Sequence, residues 1–412
     1  MVSKPLENIK VLELASVLAG PGVGLALAEL GATVIKVENL STKGDVTRTW
    51  KLPTESADTD ISGYFSCVNW GKKSLALDIT QADGLDIVYQ LVKQCDIVIA
   101  SYKPGDDAKL KVDYDTLCAL NPKLIYAHIT GYGRYNNRTG YDAIIQAESG
   151  FTYMNGEPDG KPGKMPVALM DLLASHQLKE GILLALWQLE KTGKGAYIET
   201  GLFKSGVASL ANQATNWLVG NTIPRRMGSD HPNIVPYGTI FYSADNKAVV
   251  LAIGSNKQFS QLCQILGIPE VANEPRFIDN LIRVKNRAAI TNILVEAIGK
   301  VTRDELLGKC QKIGIPAGGV FDMEEVFELP EAKEMLMYGV TSSGHDICGV
   351  RSVALNIDGK PVAESISAPP HYGENSLEIL KEMLNLPPQI IANLLDKNVV
   401  YDRQQHNQKS IR

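Results

Sequence analysis

Short apolar runs alternate with helical stretches along the first 200 residues. Strand-type runs are predicted at Ile9–Leu14, Thr33–Val37, Ser74–Ile79, Ile97–Ala100, Leu124–Ile129 and Val167–Leu169. Apolar positions recur at helical spacing in Gly22–Leu30, Gly84–Lys93 and Ser175–Leu189. This alternation is typical of a parallel sheet with helices on both faces, in which ligands bind beyond the carboxyl ends of the strands. We therefore expect a doubly wound, Rossmann-like α/β domain over residues 1–220.

The pattern changes near residue 221. The stretch NTIPRRMGSDHPNIVPYG carries three prolines and several turn residues, which indicates a link between domains. Two strand-type runs, Gly238–Tyr242 and Ala248–Ile253, then flank the turn SADNK, and helical segments follow. We expect a smaller α+β domain over 221–320 and a C-terminal segment, 321–412, that returns to the large domain.

Composition narrows the class of protein. The chain is 44% hydrophobic and 21% charged, as in soluble globular proteins, and its net charge is -5. No basic stripe is present, so neither nucleic acid nor a membrane is an expected partner. The N-terminus has no apolar signal region, and the six cysteines and six histidines are scattered. We therefore predict a cytoplasmic protein without a metal site.

A glycine-rich segment, Ala19–Gly24, follows the first strand, and Glu38 ends the second. One interpretation is a nicotinamide dinucleotide site, where backbone N–H groups hold a phosphate. Pro21 has no N–H to offer, and the glycine spacing is not GxGxxG. The favoured interpretation is a close contact between helix and sheet that requires small residues.

Asp171 stands where the run MPVALM ends and a helical stretch begins. An aspartate in that place is commonly the N-cap of the helix, and from the residues alone this interpretation is favoured. The other interpretation is a carboxylate in a cleft that stays ionised near helix N–H groups and attacks a carbonyl carbon. The sequence pattern does not separate the two.

A phenol and a carboxylate, Tyr141 and Asp142, follow Gly140 and form a second candidate. They are either part of a turn or two groups that line the same cleft as Asp171. Four lysines lie near predicted strand ends, where they are either solvated or paired with ligand phosphates: Lys72, Lys73, Lys103 and Lys109.

Several segments, in order, resemble the family III CoA-transferases, which include formyl-CoA and carnitine CoA-transferases. They are VLELASVLAGPGVGLALAELGATVIKVE, GDVTRTW, NWGKKSLALDI, SYKPG, GYDAIIQAESG, ALMD, HPNIVPYG, GIPAGGV and APPHYGEN. The resemblance covers nearly the whole chain, and its strength lies in the order of the segments.

The resemblance implies an enzyme whose substrates are acyl-CoA and a small carboxylic acid, with no tightly bound cofactor. Asp171 matches the family's nucleophile, which would form a mixed anhydride and then a β-aspartyl-CoA thioester; Tyr141 and Asp142 would complete the catalytic set. The resemblance also implies an interlocked homodimer, with the active site between the large domain of one chain and the small domain of the other.

Binding residues follow from the same resemblance. Those for coenzyme A would be Val17, Asn39, Lys72, Lys73, Ser101, Tyr102, Lys103, Lys109 and Leu110. Those for the acyl substrate would be Leu18, Ala19, Tyr237 and Gly238. Ser101 replaces a common asparagine, and Asn39 stands where an arginine often lies against the adenine. Leu18 replaces the glutamine of oxalate-using members, which speaks against oxalate. The segments GYDAIIQAESG and MPVALMD most resemble members that handle succinate-type or other short dicarboxylates, so an acid of that kind is expected.

Three alternative functions are also considered. An α-methylacyl-CoA racemase shares the resemblance, but it carries a histidine at the position of Tyr141, and a phenol with an ordinary pKa near 10 is a poor base at neutral pH. A nicotinamide-dependent dehydrogenase would use the glycine-rich segment. A non-catalytic CoA-binding protein would not require Asp171.

Overall fold

The computed structural model describes residues 4–362 and 366–403, and the chain has a mixed α/β fold. The strands are β1 Lys10–Leu14, β2 Thr33–Glu38, β3 Lys72–Leu77, β4 Ile97–Ala100, β5 Ile125–Thr130, β6 Ala196–Gly201, β7 Tyr237–Tyr242, β8 Ala248–Ala252, β9 Ala317–Gly319, β10 Leu336–Val340, β11 Asp346–Val350, β12 Asn356–Ile357, β13 Lys360–Pro361 and β14 Val400–Tyr401.

The α-helices are α1 Ala19–Glu29, α2 Gly63–Ser66, α3 Ala82–Val92, α4 Asp106–Lys109, α5 Tyr114–Leu120, α6 Asp142–Glu148, α7 Phe151–Met154, α8 Leu169–Thr192, α9 Leu202–Ala208, α10 Ala211–Leu218, α11 Asn256–Ile265, α12 Asn280–Lys285, α13 Arg287–Ile298, α14 Arg303–Lys312, α15 Met323–Glu328, α16 Pro330–Lys333, α17 Ser376–Glu378 and α18 Pro388–Asp396. Shorter turns are the 3₁₀ segments Val46–Thr49 and Pro269–Asn273 and the π-helical segment Ile379–Met383.

The chain forms two compact units. The first comprises Met1–Ser149, Met165–Ala214 and Met335–Arg412, and the second comprises Gly150–Lys164 and Thr215–Glu334. These bounds differ from the predicted domains: the second unit starts at 215 rather than 221, reaches 334 rather than 320, and also includes 150–164.

The first unit is built on a parallel-dominated sheet. Within the described residues it has seven strands in the order β14–β3–β2–β1–β4–β5–β6, of which only β14 runs antiparallel to its neighbour. Strands β4 and β5 are buried along their whole length, as in parallel strands covered on both faces. Along the chain, β2 and β3 are added on one side of β1, and β4, β5 and β6 are then added on its other side. This reversal leaves a crevice at the carboxyl ends of β1 and β4, where ligands bind in open parallel sheets.

The glycine-rich segment is part of α1 and packs against the sheet. A Cβ on Gly20 would overlap the Ala15 side chain, and a Cβ on Gly24 would overlap the Glu13 carboxylate. The interpretation as a close helix–sheet contact is therefore confirmed, and the segment is helical rather than a phosphate-binding loop.

Four charged side chains lie buried beneath the crevice. Lys36 Nζ is 3.1 Å from Glu13 Oε1 and 2.9 Å from Asp45 Oδ2, and Lys72 Nζ is 2.8 Å from Glu13 Oε2. Burial acts to lower the pKa of Lys36, but Glu13 and Asp45 raise it above its ordinary value. Removal of one partner would leave an unpaired buried charge, which costs about 3–5 kcal/mol.

The second unit has its own sheet and core. Strand β8 lies between β7 and β9 and is antiparallel to both. Its core contains Phe241 of the sheet, Phe259 of α11, and Phe277 of the turn before α12, among other apolar residues. The second unit therefore combines an antiparallel sheet with helices.

One strand prediction near the nucleophile candidate is wrong, and one strand of the sheet was not predicted. Val167–Leu169 is not a strand, because α8 already begins at Leu169 and extends to Thr192. The strand that completes this side of the sheet is β6, whose sequence AYIETG is too polar to stand out as a buried strand. Among the described residues, no helix is both long and apolar enough to cross a membrane.

Candidate active site

Asp171 lies in the first turn of α8 and does not cap it. The N-cap position is Ala168, and no side chain of that residue fills the capping role. A carboxylate from α6 does so instead, because Asp142 Oδ1 accepts a hydrogen bond of 2.8 Å from the Met170 N–H. The interpretation of Asp171 as a helix cap is therefore wrong, and its carboxylate is available to a ligand.

A cavity of about 260 Å³ opens beside Asp171. It brings together nine of the predicted site residues: Val17, Leu18, Ala19, Ser101, Tyr102, Lys103, Tyr141, Asp142 and Asp171. The remaining lining comes from Ser16, Pro104, Ile129, Thr130, Gly131, Arg138, Thr139, Gly140 and Leu202. Elements that are far apart in sequence therefore meet at the carboxyl ends of β1, β4 and β5.

Burial and a neighbouring charge change the protonation of Asp171. Desolvation, followed by the nearby Asp142 carboxylate, raises the pKa of Asp171 from 3.8 to about 7. The prediction that Asp171 stays ionised at neutral pH is therefore wrong, since a carboxyl group with this pKa is half protonated at pH 7. A more basic carboxylate is a stronger nucleophile once it has lost its proton, and a pKa raised in a cleft is typical of functional groups.

Asp142 and Tyr141 flank the nucleophile candidate. Asp142 Oδ2 accepts a hydrogen bond of 2.8 Å from Gln146 Nε2, so both carboxylate oxygens of Asp142 are fixed by protein donors. Tyr141 precedes α6 as its N-cap residue, and its side chain is 67% exposed at the edge of the cavity. Its phenol is therefore accessible to a bound substrate.

The loop between β1 and α1 forms another wall of the cavity. Val17 adopts φ of 71°, a left-handed conformation that is rare for a β-branched residue. Its N–H donates to the Asp45 carboxylate, at 3.1 Å from Oδ2, and Asp45 is in turn paired with Lys36. Backbone strain of this kind, about 1–3 kcal/mol, persists where surrounding structure holds it in place.

A second cavity, of about 330 Å³, lies at the ends of β1, β2, β3 and β4. Four residues predicted to contact coenzyme A line it: Asn39, Ser101, Tyr102 and Leu110. Ser16, Ser101 and Tyr102 line both cavities, so the two adjoin at these residues. An extended ligand has room to pass from one cavity to the other.

The lysines do not form the predicted cluster. Lys72 is buried, and its Nζ bonds Glu13, the Pro21 carbonyl and Asn69, so the prediction that it faces a nucleotide is wrong. Lys73 pairs with Glu378 and lines a different cavity, away from Asp171. Only Lys103 reaches the cavity of Asp171.

Three further predicted residues lie apart from Asp171. Lys109 is exposed, bonds Asp106 at 2.7 Å and lines neither of the two cavities. Tyr237 and Gly238 belong to β7 in the second unit, and the lining of the Asp171 cavity does not include them.

Two residues near the nucleophile candidate escaped sequence reasoning. Arg138 lines the cavity, and its guanidinium bonds Glu148. The sequence feature that could have indicated it is the turn-rich stretch NNRTG, which leads into GYDAII. Burial, followed by the charge of Asp171, raises the pKa of Tyr64 to about 12, which places this phenol within electrostatic range of the site. Nothing in the periodicity around Tyr64 marked it. In the described part of the chain, no group of three or more His, Cys, Asp or Glu is arranged to hold a metal ion.

Similar proteins cover both sequence and fold. The profile of CoA-transferase family III matches residues 6–376. A succinate–glutarate CoA-transferase of Agrobacterium fabrum is 38% identical over 387 residues, which cover 92% of this chain and 96% of that protein. A human succinyl-CoA:glutarate CoA-transferase is 34% identical over 409 residues, which cover 98% of this chain and 91% of that protein. The crystal structure of a CaiB/BaiF family protein from Brucella suis, 38% identical, matches with a TM-score of 0.83 over 92% of this chain and 99% of that chain.

Proposed function

This chain belongs to CoA-transferase family III, and from that premise we propose that it exchanges coenzyme A between an acyl-CoA donor and a short dicarboxylic acid, with Asp171 as the acyl carrier. The observation that carries the proposal is the place of Asp171 in the cavity, with a pKa raised to about 7 by burial and by Asp142. Coenzyme A and acyl-CoA enter as substrates, and no tightly bound cofactor takes part.

The exchange proceeds through covalent steps on one carboxylate. Ionised Asp171 attacks the thioester carbonyl of the donor. The C–S bond breaks, CoA leaves as a thiolate, and the donor acyl group stays on Asp171 as a mixed anhydride. The thiolate attacks the aspartyl carbonyl, which forms a β-aspartyl-CoA thioester and releases the donor acid. The acceptor carboxylate attacks this thioester, the C–S bond breaks, and CoA leaves again as a thiolate, which gives a second anhydride. The thiolate then attacks the acceptor carbonyl, and Asp171 leaves as a free carboxylate.

Neighbouring groups prepare Asp171 for these steps. Asp142 anchors the first turn of α8 through Met170 and, by its charge, keeps Asp171 basic. The Asp171 N–H lies in the first turn of α8 and has no acceptor within the described residues, so it is available to a developing oxyanion. The exposed Tyr141 phenol is the second donor that we assign to the oxyanion.

The two adjoining cavities support a binding mode in which different parts of the CoA molecule occupy different cavities. We assign the nucleotide to the second cavity, beside Asn39 and Leu110, and the pantetheine arm to the passage at Ser101 and Tyr102. Asn39 Oδ1 accepts from the Ser41 N–H at 2.8 Å, which leaves the amide nitrogen of Asn39 for the base.

Lysine variants test whether the cavity of Asp171 holds the acyl end of the CoA thioester, because Lys103 lines that cavity and the matched Lys109 lines neither cavity. We expect K103A to raise the KM for acyl-CoA about tenfold, as for loss of one charge-assisted bond, and K109A to change it less than about twofold. Equal effects of the two substitutions would contradict the assignment.

The acid is assigned as a short dicarboxylate of the succinate or glutarate type. Leu18 and Ala19 supply an apolar wall for a methylene chain, and Lys103 and Arg138 supply cations for the distal carboxylate. The relatives from Agrobacterium fabrum and human are named for succinate or succinyl-CoA and glutarate. A mass-spectrometric screen of succinyl-CoA against mono- and dicarboxylic acids tests this, and a preference for monocarboxylates would reject the assignment.

Chemical trapping tests the nucleophile directly. The enzyme is incubated with succinyl-CoA and quenched with borohydride, which reduces an activated carboxyl to an alcohol, and peptide mass spectrometry locates the product. We expect reduction at Asp171 in the native enzyme and in D142N, and none in D171N. Trapping at another carboxyl, or turnover by D171N, would show that the proposal names the wrong nucleophile.

The same variants separate the other functions. A non-catalytic CoA-binding protein would bind CoA without any trapped product, so CoA binding by D171N is measured in parallel and should be largely retained. A racemase would exchange the α-proton of an acyl-CoA with deuterated water, and Tyr141 in place of a histidine speaks against it. A dehydrogenase would change NADH fluorescence, whereas the helical packing of Gly20 and Gly24 leaves no phosphate-binding loop there.

The proposal also covers the fold of the first unit, the oligomeric state and the location in the cell. The strand order on either side of β1 supports a doubly wound, Rossmann-like first unit. We further propose an interlocked homodimer in which Tyr237 and Gly238 contact the acyl substrate; light scattering and the KM of Y237F for the acid test this. The six free cysteines support a cytoplasmic location, which fractionation with organelle markers tests.

A further inference from the structure

A second set of reactive side chains lies in the first unit, outside both cavities of the transferase site. Ser343 is in the turn between β10 and β11, and its Oγ is 2.8 Å from His371 Nε2. The opposite ring nitrogen, His371 Nδ1, bonds the Asp60 carboxylate. The order hydroxyl, imidazole, carboxylate is that of an activated serine.

Charges around Asp60 fix the direction of the hydrogen bonds. Burial acts to raise the pKa of Asp60, but the bond from His371 and the charge of Arg48 hold that pKa well below its usual range. Asp60 Oδ2 also accepts from the Tyr372 N–H at 2.7 Å and lies 3.4 Å from Arg403. An ionised carboxylate only accepts, so His371 Nδ1 carries a proton toward it.

This protonation determines the role of the serine. A guanidinium nitrogen of Arg48 also lies 3.6 Å from Asp60 Oδ2, and the tautomer of His371 that carries its proton on Nδ1 leaves Nε2 without one. Its Nε2 is then an acceptor, and the Ser343 hydroxyl donates to it. The Ser343 oxygen is left to accept from Thr341 Oγ1 at 3.0 Å and from His345 Nδ1 at 2.9 Å.

The surroundings of Ser343 suit a nucleophile rather than a buried structural hydroxyl. His371 is fully buried, whereas Ser343 is exposed at the tip of the hairpin. Within residues 4–362 and 366–403, the backbone N–H groups of Ser342 and Ser343 donate to no protein acceptor. Adjacent free N–H groups beside a nucleophile are the requirement for oxyanion stabilisation.

A cavity borders this set of residues. It has a volume of about 320 Å³ and is lined by Thr341 and Ser342 of the turn, by Pro370 next to His371, and by Lys73 and Asn375, among others. It is separate from the cavity that holds Asp171. The cavity comes next to the serine at Ser342 and next to the histidine at Pro370.

We propose that Ser343, His371 and Asp60 form a second catalytic site that hydrolyses short-chain acyl esters. Ser343 Oγ forms a bond to the acyl carbon while its proton passes to His371 Nε2. The bond from the acyl carbon to the alcohol oxygen breaks, and the alcohol leaves with that proton. Water then attacks the acyl-serine and gives its proton to His371. The carboxylic acid leaves, and the proton returns to Ser343.

Covalent labelling of the full-length protein tests this site. The native protein is treated with a fluorophosphonate, and peptide mass spectrometry locates the adduct. We expect phosphonylation of Ser343 in the native protein and none after heat unfolding, because reactivity depends on the folded arrangement. S343A should abolish the adduct, while S209A, which removes an exposed hydroxyl at the end of α9 and outside the proposed site, should retain it.

Kinetics test the role of the histidine. We expect H371Q to label about 100-fold more slowly, the usual contribution of a general base. Hydrolysis of p-nitrophenyl acetate is measured in a D171N background, so that the transferase nucleophile cannot contribute. Hydrolysis should be lost in D171N/S343A and kept in D171N/S209A. Labelling of native Ser343 at the rate of the unfolded chain, or hydrolysis that survives S343A, would overturn the proposal, even if H371Q fails to fold.

Discussion

Replacement of Asp171 by asparagine should stabilise the fold while it removes the proposed nucleophile. The folded-state pKa of Asp171 is about 7, against an ordinary 3.8. At about 1.4 kcal/mol per pH unit, ionisation of this group above pH 7 costs the folded state up to about 4 kcal/mol. Asp171 keeps some contact with solvent, so we expect about half of that, ~2 kcal/mol, to be recovered in D171N.

The gain in stability should depend on pH in one direction. Between pH 3.8 and about 7, the folded protein holds a proton on Asp171 that the unfolded chain has lost. The free energy of unfolding of the native protein therefore falls as pH rises through this window. Above about pH 7 both states are ionised and the gain in D171N is constant. Below about pH 3.8 both states are protonated and the gain disappears.

Urea denaturation at several pH values between 4.5 and 8 measures this difference. The matched control is D346N, which changes an exposed aspartate on β11 and should leave stability within about 0.5 kcal/mol of native at every pH. A D171N variant that is no more stable than native at pH 8 would refute the reasoning. So would a gain of equal size at pH 4.5, since ionisation would then not be its cause.

Three further outcomes follow from the structure. The kcat/KM for transfer should rise with pH and reach half its maximum near pH 7, where Asp171 ionises; in D142N the midpoint should move to lower pH, and an unchanged midpoint would contradict the role of that charge. G24A should lower the free energy of unfolding by about 3 kcal/mol, because its Cβ would overlap a buried carboxylate, whereas G308A in α14 has open space and should raise it by up to about 1 kcal/mol; melting curves compare the two. V17G should not lower the melting temperature despite the lost side chain, because glycine adopts φ of 71° without strain; a clear fall would show that this backbone is not strained.

The sheet and its crevice follow from the sequence because their cause is local. Buried parallel strands such as β4 are short apolar runs, and its predicted bounds, Ile97–Ala100, are those observed. The edge strand β6 was missed because an edge position tolerates Thr200 and Glu199. The apolar run at Val167 was misread because burial alone does not distinguish a strand from the start of a helix.

The electrostatics of the site were out of reach of sequence reasoning for a different reason. The pKa of Asp171 depends on desolvation and on Asp142, which lies 29 positions earlier in the chain and is brought close by the packing of α6 against α8. The Lys72 side chain points inward because that face of β3 packs against α1, where Gly24 leaves room for it beside Glu13. These properties arise from contacts between residues that are far apart in the chain, so no single segment of sequence predicts them.

The hydrogen bond between Asp45 and the Val17 N–H has a consequence for how substrate choice can diverge. Asp45 holds the main chain of the loop, not its side chains, and every residue except proline offers the same N–H. The side chains at positions 17 and 18 can therefore be exchanged while the loop keeps its path beside Asp171. A change of Leu18 would therefore alter the wall of the Asp171 cavity without removing the hydrogen bond that fixes the loop, provided that the buried charges beneath stay together.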